Sequence, residues 1–317
     1  MKVVLITPDH DLTMGDVPAP QPTPGRVLIR IKAAAINRAD LLQREGKYPP
    51  PPGWPDWPGL ECAGIVEDNG GSARWKQGDS VCALLGGGGY AEMVSVPENM
   101  VIPLPEGFSF TEAAALPEVF ATAYLNLCRI AQLKAGETFF MQAGASGLGM
   151  AAIQLAKTLG AKVVTTVSSE RKAELVRSLG ADVVINRKTE PVDEILAKHG
   201  IDVALDCAGG EILGKCLPAM NPGGRWILVA TLGGEYTQVP LRTMMTKHIR
   251  LIGSTLRSRS DQEKGEILAE LVKSVWPLLA SGKIRPIIDA VYPFAEVKEA
   301  QGLLQKQSNA GKVVMTM

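Results

Sequence analysis

The chain has 317 residues, 46% of them hydrophobic and 21% charged, with 33 basic and 33 acidic side chains in balance. That length exceeds what one compact core organises, so two domains are expected, and the composition excludes a disordered or fibrous chain. The neutral balance gives no electrostatic reason to bind nucleic acid or an anionic membrane, and no apolar run is long enough to span a bilayer.

The opening stretch, "MKVVLITPDHDLTMG", reads as a first strand and not as a secretory leader. Residues 1–110 read as strand and turn. "RVLIRIKAAAI" (26–36) alternates apolar and polar before turning small and apolar, and "ECAGIVED" and "DSVCALL" are further short strands. Turn-formers separate them: "PAPQPTPG", "YPPPPGWPDWPG", "DNGGSARWKQGD" and "LLGGGGY". The pattern predicts a small, irregular β module with partial closure.

The middle of the chain changes character. Apolar runs recur at "TFFMQA" (138–143), "KVVTTV" (162–167), "DVVIN" (182–186), "DVALDCA" (202–208), "RWILVA" (225–230) and "IRLIGS" (249–254). Helix-like segments lie between most of them, and several end in glycine, as helix C-termini often do. This alternation predicts a doubly wound parallel sheet whose strands are covered on both faces. From about residue 261 a charged amphipathic helix, "DQEKGEILAELVKSVWPLLASG", leads into strand and turn again. The economical architecture is α/β plus β: a Rossmann sheet over residues 121–255, inserted into a partly closed β domain made from residues 1–120 and 256–317.

Five cysteines, Cys62, Cys82, Cys128, Cys207 and Cys216, form no CxxC pair and no tight group. Neither a metal site nor a disulfide framework is expected, and a reducing, cytoplasmic compartment is the default.

The stretch "FFMQAGASGLGMAAIQLAK" (139–157) places a run of small residues between a strand and a helix. Such a turn lets backbone approach a pyrophosphate held at the helix N-terminus. Gly144 and Gly149 take the outer positions of a G-x-G-x-x-G frame, but Ser146 stands at the middle one. An offset frame, Gly147-x-Gly149-x-x-Ala152, fits the G-x-G-x-x-A variant. The following strand ends in "VSSERKAE", where an NAD site usually places an acid for the ribose hydroxyls. Here Ser168, Ser169, Arg171 and Lys172 gather, and Glu170 suits the helix start. Hydroxyls and cations suit a ribose 2′-phosphate. Two charge-assisted hydrogen bonds at roughly 1.5–3 kcal/mol each favour NADPH over NADH by roughly two to four decades. Arg187, after the third strand, can reach the same end of the cofactor or stand as a surface arginine.

The segments "AAAINRADLLQREGKYPPPPG", "PGLECAGIV", "GGGGYAEMVSVP", "ALPEVFATAYLNL", "QAGASGLGMAAIQLAKTLGA", "SLGADVVINR", "DVALDCAGG", "GSTLRSRS" and "NAGKVVM" together resemble the zinc-free quinone oxidoreductases of the medium-chain dehydrogenase/reductase superfamily, over nearly the whole chain. "NRADLLQREGKYPPPPG" and "GSTLRSRS" are most similar to the subgroup that includes the tumour-suppressor-inducible quinone oxidoreductase. The resemblance implies a GroES-like catalytic domain, an inserted Rossmann domain, NADPH in the cleft between them, and a homodimer or homotetramer joined through Rossmann edge strands. It implies 2′-phosphate contacts at Ser168 and Lys172, turn contacts at Ser146, Gly147 and Leu148, and nicotinamide-side contacts near Asn37, Thr122, Leu232, Gly233 and Asn309. Arg187 stands where the family often has tyrosine. At the positions matching the catalytic zinc ligands of related alcohol dehydrogenases the chain has Asn37, Leu60 within Gly59-Leu60-Glu61, and about Glu118, which is no tetrahedral ligand set.

The resemblance and the residues converge on metal-free hydride transfer from NADPH to a quinone or similar electron-poor acceptor. Asn37 is the candidate amide donor and also the candidate cap of a helix before "ADLLQ". Tyr48 either offers its hydroxyl to substrate or packs on Pro49–Pro52. In "STLRSRS" (254–260), Ser258 and its neighbours contact cofactor phosphate, line the cleft or form a basic loop. Trp54 and Trp57 either wall a site for flat acceptors or pack the proline-rich loop. Two other functions compete: NADPH-dependent reduction of α,β-unsaturated carbonyls, and cofactor binding with little turnover.

Overall fold

The computed structural model describes residues 1–317. The chain forms two compact units: Met1–Ala121 with Leu256–Met317, and Thr122–Thr255.

In the first unit, β1 (Lys2–Ile6) and β2 (Leu12–Asp16) pair as a separate antiparallel ribbon. Then come β3 (Arg26–Ile36), α1 (Arg38–Arg44), β4 (Glu61–Asp68), β5 (Ser80–Leu84), β6 (Met93–Pro97), β7 (Val101–Pro103) and α2 (Phe110–Ala114). Helix α3 (Pro117–Tyr124) carries the chain onward and is followed by a π-helical stretch, Leu125–Ile130. The second unit then runs β8 (Thr138–Met141), α4 (Gly147–Thr158), β9 (Lys162–Val167), α5 (Glu170–Ser178), β10 (Val183–Asn186), α6 (Val192–His199), β11 (Ile201–Asp206), α7 (Gly210–Cys216), β12 (Met220–Leu228), α8 (Leu241–Lys247) and β13 (Arg250–Gly253). The chain returns to the first unit through α9 (Asp261–Ala280), β14 (Ile288–Pro293), α10 (Val297–Gln305) and β15 (Lys312–Thr316).

All six strands of the second unit are parallel, in the order β10-β9-β8-β11-β12-β13. The order reverses between β8 and β11. That is the switch point of a doubly wound sheet, beyond whose strand ends ligands bind. Phe140, Val164, Ala204 and Trp226 from four adjacent strands share one core cluster with Leu196 and Leu213 of α6 and α7. Covered strands need no polar alternation, which explains why "TFFM" is apolar throughout.

The sheet of the first unit runs β14-β15-β3-β4-β5-β7, with β6 also on β3. All of its pairings are antiparallel except β14 with β15. Pairing of β15 with β3, Val313 opposite Ile36, sets the last strand beside Asn37. The mixed α/β architecture with a Rossmann-type sheet and a GroES-like β domain is as the sequence leads one to expect. Four helices are additional, and two of them, α2 and α3, fall in the stretch before the first Rossmann strand to which the sequence assigned no element. The tail, expected to be strand and turn after its first helix, contains α10, which buries Val297, Ala300, Gln301 and Leu304 at helical spacing. Helix α8 buries no residue, and its Leu241, Met244 and Met245, though at helical spacing, lie in a helix of only seven residues.

Candidate active site

The glycine turn is built by steric necessity. A Cβ on Gly144 would stand 2.1 Å from Thr165 Oγ1, and one on Gly149 would stand 2.5 Å from the carbonyl oxygens of Ala143 and Gly144. Ala143 itself takes a left-handed conformation, φ 60°. Its N–H donates to Thr166 Oγ1 at 3.0 Å, and Gly144 N–H donates to Thr166 O at 2.9 Å. Ser146 caps α4, its Oγ accepting from Gly149 N–H at 3.0 Å. The N–H groups of Gly147 and Leu148, in the first helical turn, have no intrahelical acceptor. At the end of β8, Gln142 is 6% exposed and its buried Oε1 has no partner. A backbone cradle that no side chain fits, with unpaired N–H groups at a helix start beside the switch point, suits a dinucleotide pyrophosphate.

The end of β9 lies beside this turn. Ser168 and Lys172 are half-buried, and Arg187 is exposed. Arg187 N–H donates to Val167 O at 3.0 Å, so it stands next to Ser168 across the strand pair. Ser169 is the N-cap of α5, yet its hydroxyl caps nothing. Glu170, the one acid in "SSERK", is paired with Arg177 at 2.6 Å. The local field is therefore cationic.

Beyond β11 and β12 the two loops continue to pair. Leu232 N–H donates to Cys207 O at 3.3 Å, and Gly233 N–H donates to Ala208 O at 2.7 Å. Asp206 anchors them. Its Oδ1 accepts from Ala208 N–H (2.7 Å) and Gly209 N–H (3.0 Å), and its Oδ2 accepts from Trp226 Nε1 (3.0 Å). Burial pushes its carboxyl above the ordinary range, with these donors working against the shift. Asp206 is a fixture the sequence reading missed; the acid that closes the apolar run "VAL" within "DVALD" was its signal. Thr122 is buried and its carbonyl accepts from Asn126 Nδ2 at 2.8 Å.

In the first unit, Asn37 is the N-cap residue of α1, and its N–H donates to Asp40 Oδ2 at 2.7 Å. Its amide is largely engaged. Oδ1 accepts from Lys312 Nζ at 2.7 Å, and Nδ2 donates to Glu61 Oε1 at 2.9 Å, leaving one amide hydrogen with a long 3.4 Å contact to Ala35 O. Lys312 Nζ also donates to Glu61 Oε1 at 2.6 Å and Ile36 O at 3.0 Å, and Glu118 N–H donates to Glu61 Oε2 at 2.8 Å. Thus a buried ammonium lies against Asn37 and Glu61. No group of three or more His, Cys, Asp or Glu side chains is gathered in the way a metal would need. Asp40 is fully buried and accepts from Asn37 N–H, Gly59 N–H (3.0 Å) and Tyr90 OH (2.9 Å), a structural role.

Tyr48 is half-buried beside the proline run. Arg257 lies with its guanidinium 5.0 Å from the Tyr48 ring centroid. Of the two arginines in the basic loop 254–260, Arg257 is the buried one, and Ser258 is exposed. Asn309 Nδ2 donates to Gly311 O at 2.8 Å. Trp54 is buried between Arg26 and Lys264, whose cationic groups lie 5.6 and 5.8 Å from its ring, and Trp57 Nε1 donates to Gly88 O at 3.1 Å. Both tryptophans pack the loop.

A parallel doubly wound sheet with a glycine-rich turn, and a largely antiparallel β domain, together suit a nicotinamide-dependent oxidoreductase. Two family models match the chain: "Alcohol dehydrogenase GroES-like domain" over residues 23–106 and "Zinc-binding dehydrogenase" over 147–273. The rat quinone oxidoreductase is 31% identical over 309 residues, 95% of this chain and 92% of the relative. The human synaptic vesicle membrane protein VAT-1 homolog-like is 31% identical over 315 residues, 93% of this chain and 75% of the relative. The quinone oxidoreductase from Thermus thermophilus, whose structures include a complex with NADPH, superposes with a TM-score of 0.86 at 32% identity, covering all of both chains. The chain belongs to the medium-chain dehydrogenase/reductase superfamily, in its quinone oxidoreductase-like branch. No helix is long and apolar enough to cross a membrane.

Proposed function

We propose that the chain is an NADPH:quinone oxidoreductase that works without a metal: NADPH, a quinone and a proton give NADP⁺ and a hydroquinone. The observation that carries the cofactor choice is the end of β9. Ser168, Ser169, Lys172 and Arg187 cluster there, while the one nearby acid is already held by Arg177. A 2′-phosphate gains charge-assisted bonds at such a site, and a bare ribose diol finds no free acid.

When bound, the reduced nicotinamide supplies the hydride. The pyrophosphate goes to the turn Gly144, Ser146, Gly147, Leu148 and Gly149. Thr122, Leu232, Gly233, Ser258 and Asn309 contact the remainder of the cofactor. A quinone is electrophilic without a Lewis acid, so the protein's task is to place it and to stabilise the oxygen that gains negative charge. Tyr48 donates its hydroxyl to that oxygen, and Asn37 donates its one loosely held amide hydrogen. Five free cysteines suit a reducing compartment such as the cytoplasm. The assembly is a homo-oligomer, a dimer or tetramer joined at the open edge strand β13, where Leu251 is exposed.

The deciding experiment is steady-state kinetics with a simple quinone and an enone, each against NADPH and NADH. Quinone reduction with NADPH preferred is expected, and Tyr48→Phe lowers kcat for quinones. Preference for the enone supports the unsaturated-carbonyl reductase instead. Tight NADPH binding without turnover of any acceptor sinks the enzymatic reading.

A further inference from the structure

Arg257 is 6% exposed, yet no carboxylate touches it. Its Nε donates to Gly86 O at 2.8 Å, its Nη1 to Tyr48 O at 2.9 Å and its Nη2 to Gln43 Oε1 at 2.6 Å. Gln43 Nε2 in turn donates to Asp56 O at 2.7 Å. One guanidinium therefore ties α1, the proline-rich loop and the glycine-rich loop after β5. Neutral donors would satisfy the same three acceptors. A buried charge whose direct partners are all neutral is costly, so cross-linking alone does not account for an arginine here.

The charge has one outlet. The Tyr48 ring lies on the guanidinium, and the Tyr48 hydroxyl makes no hydrogen bond in the chain. The acids facing this pair are Asp40 from α1 and Glu118 from α3. Asp40 spends both oxygens on Asn37, Gly59 and Tyr90. Burial and then Glu118 hold the Tyr48 phenol above its ordinary range, and Arg257 is the group that opposes them.

We propose that Arg257 is a positioning residue of the acceptor site: it fixes the Tyr48 ring and supplies the positive charge against which the Tyr48 hydroxyl donates to the acceptor oxygen. The proposal rests on the quinone reductase reading for what Tyr48 does; the Arg257–Tyr48 contact does not. The donated bond strengthens as the oxygen gains charge on hydride arrival, and the proton that completes the hydroquinone comes from solvent.

Two readouts test it. In the first, the five tyrosines are replaced by 3-fluorotyrosine, the Tyr48 resonance is assigned with Tyr48→Phe, and its titration is followed by fluorine NMR without cofactor. Arg257→Met should move the Tyr48 midpoint up by about one pH unit or more, and Arg257→Lys by less, because it keeps the charge and loses the fork. In the second, Arg257→Met should lower kcat for a quinone by about tenfold or more with KM for NADPH unchanged, but by under about threefold when made in Tyr48→Phe. An unmoved Tyr48 titration, or an equal loss of kcat in the Tyr48→Phe background, overturns the proposal. Should Arg257→Met fail to fold, Arg257→Lys carries both comparisons. If the parental protein reduces no quinone, the functional reading and the positioning role fall together, while the titration still reports whether Arg257 tunes Tyr48.

Discussion

Lys312→Met should be among the most damaging single substitutions in the first unit. Lys312 is 4% exposed and Glu61 fully buried, with Nζ and Oε1 2.6 Å apart. The substitution keeps much of the side-chain volume and removes the ammonium. Glu61 then retains only Asn37 Nδ2 and Glu118 N–H, and the Asn37 and Ile36 oxygens lose their donor. Removing one partner of a buried pair costs about 3–5 kcal/mol, because the other charge is left uncompensated. Against a total stability of about 5–15 kcal/mol, that is a large share. Urea unfolding followed by tryptophan fluorescence reports mainly on this unit, since Trp54, Trp57, Trp75 and Trp276 lie in it and only Trp226 does not. The midpoint should fall with little change in slope. Adding Glu61→Gln removes the stranded charge, so the double variant should recover most of the loss. The reasoning fails if Lys312→Met unfolds like the parent, or if the double variant is no better than Lys312→Met alone.

Other expectations are more local. Lys172→Glu should raise KM for NADPH by about ten- to a hundredfold while barely moving KM for NADH; equal changes would remove the 2′-phosphate assignment. Gly149→Ala forces a Cβ to within 2.5 Å of two carbonyl oxygens, so calorimetry should find NADPH binding weakened or lost, and parental affinity would refute the cradle. Glu137 holds Arg225 at 2.8 Å through both oxygens; burial opposes its ionisation, but Arg225 and the Lys134 N–H outweigh it and keep its folded pKa below the ordinary 4.5. The stabilisation is therefore full above pH 4.5 and lost as pH falls through the folded value. Glu137→Gln should flatten that part of the acid limb, and an unchanged limb would discount the pair. Leu251→Asp on the open edge of β13 should yield monomers by light scattering, and an unchanged mass would place the interface elsewhere.

What could be read from residue order depended on distance along the chain. The six parallel strands were legible because each apolar run is contiguous and each helix begins close after it. The phosphate turn was legible because 143–149 is a local motif. The identity of Asn37 as a capping position was legible from "NRADLLQ", but its engagement was not: Lys312 lies 275 residues away and reads, within "GKVVMTM", as a strand-end cation. Arg257 was one of two arginines in a basic loop, equally suited to phosphate or solvent. Only its return to Tyr48 and Gly86, 209 and 171 residues earlier, distinguishes it. Helix α8 carries Leu241, Met244 and Met245 at helical spacing, but over seven residues the pattern is too short to announce a helix.

The lateness of β15 has a consequence for biosynthesis. Strand β3 leaves the ribosome with residues 26–36, and Glu61 follows soon after, but the strand that pairs with Ala33–Ile36 is made some 275 residues later. Until then the nascent β domain has an acid with no cation to meet and an unzipped sheet margin. The Rossmann sheet, whose strands all lie between residues 138 and 253, has no such wait. Its completion should precede that of the domain whose synthesis began first, which makes the early β segments natural clients of chaperones that shield open sheet margins.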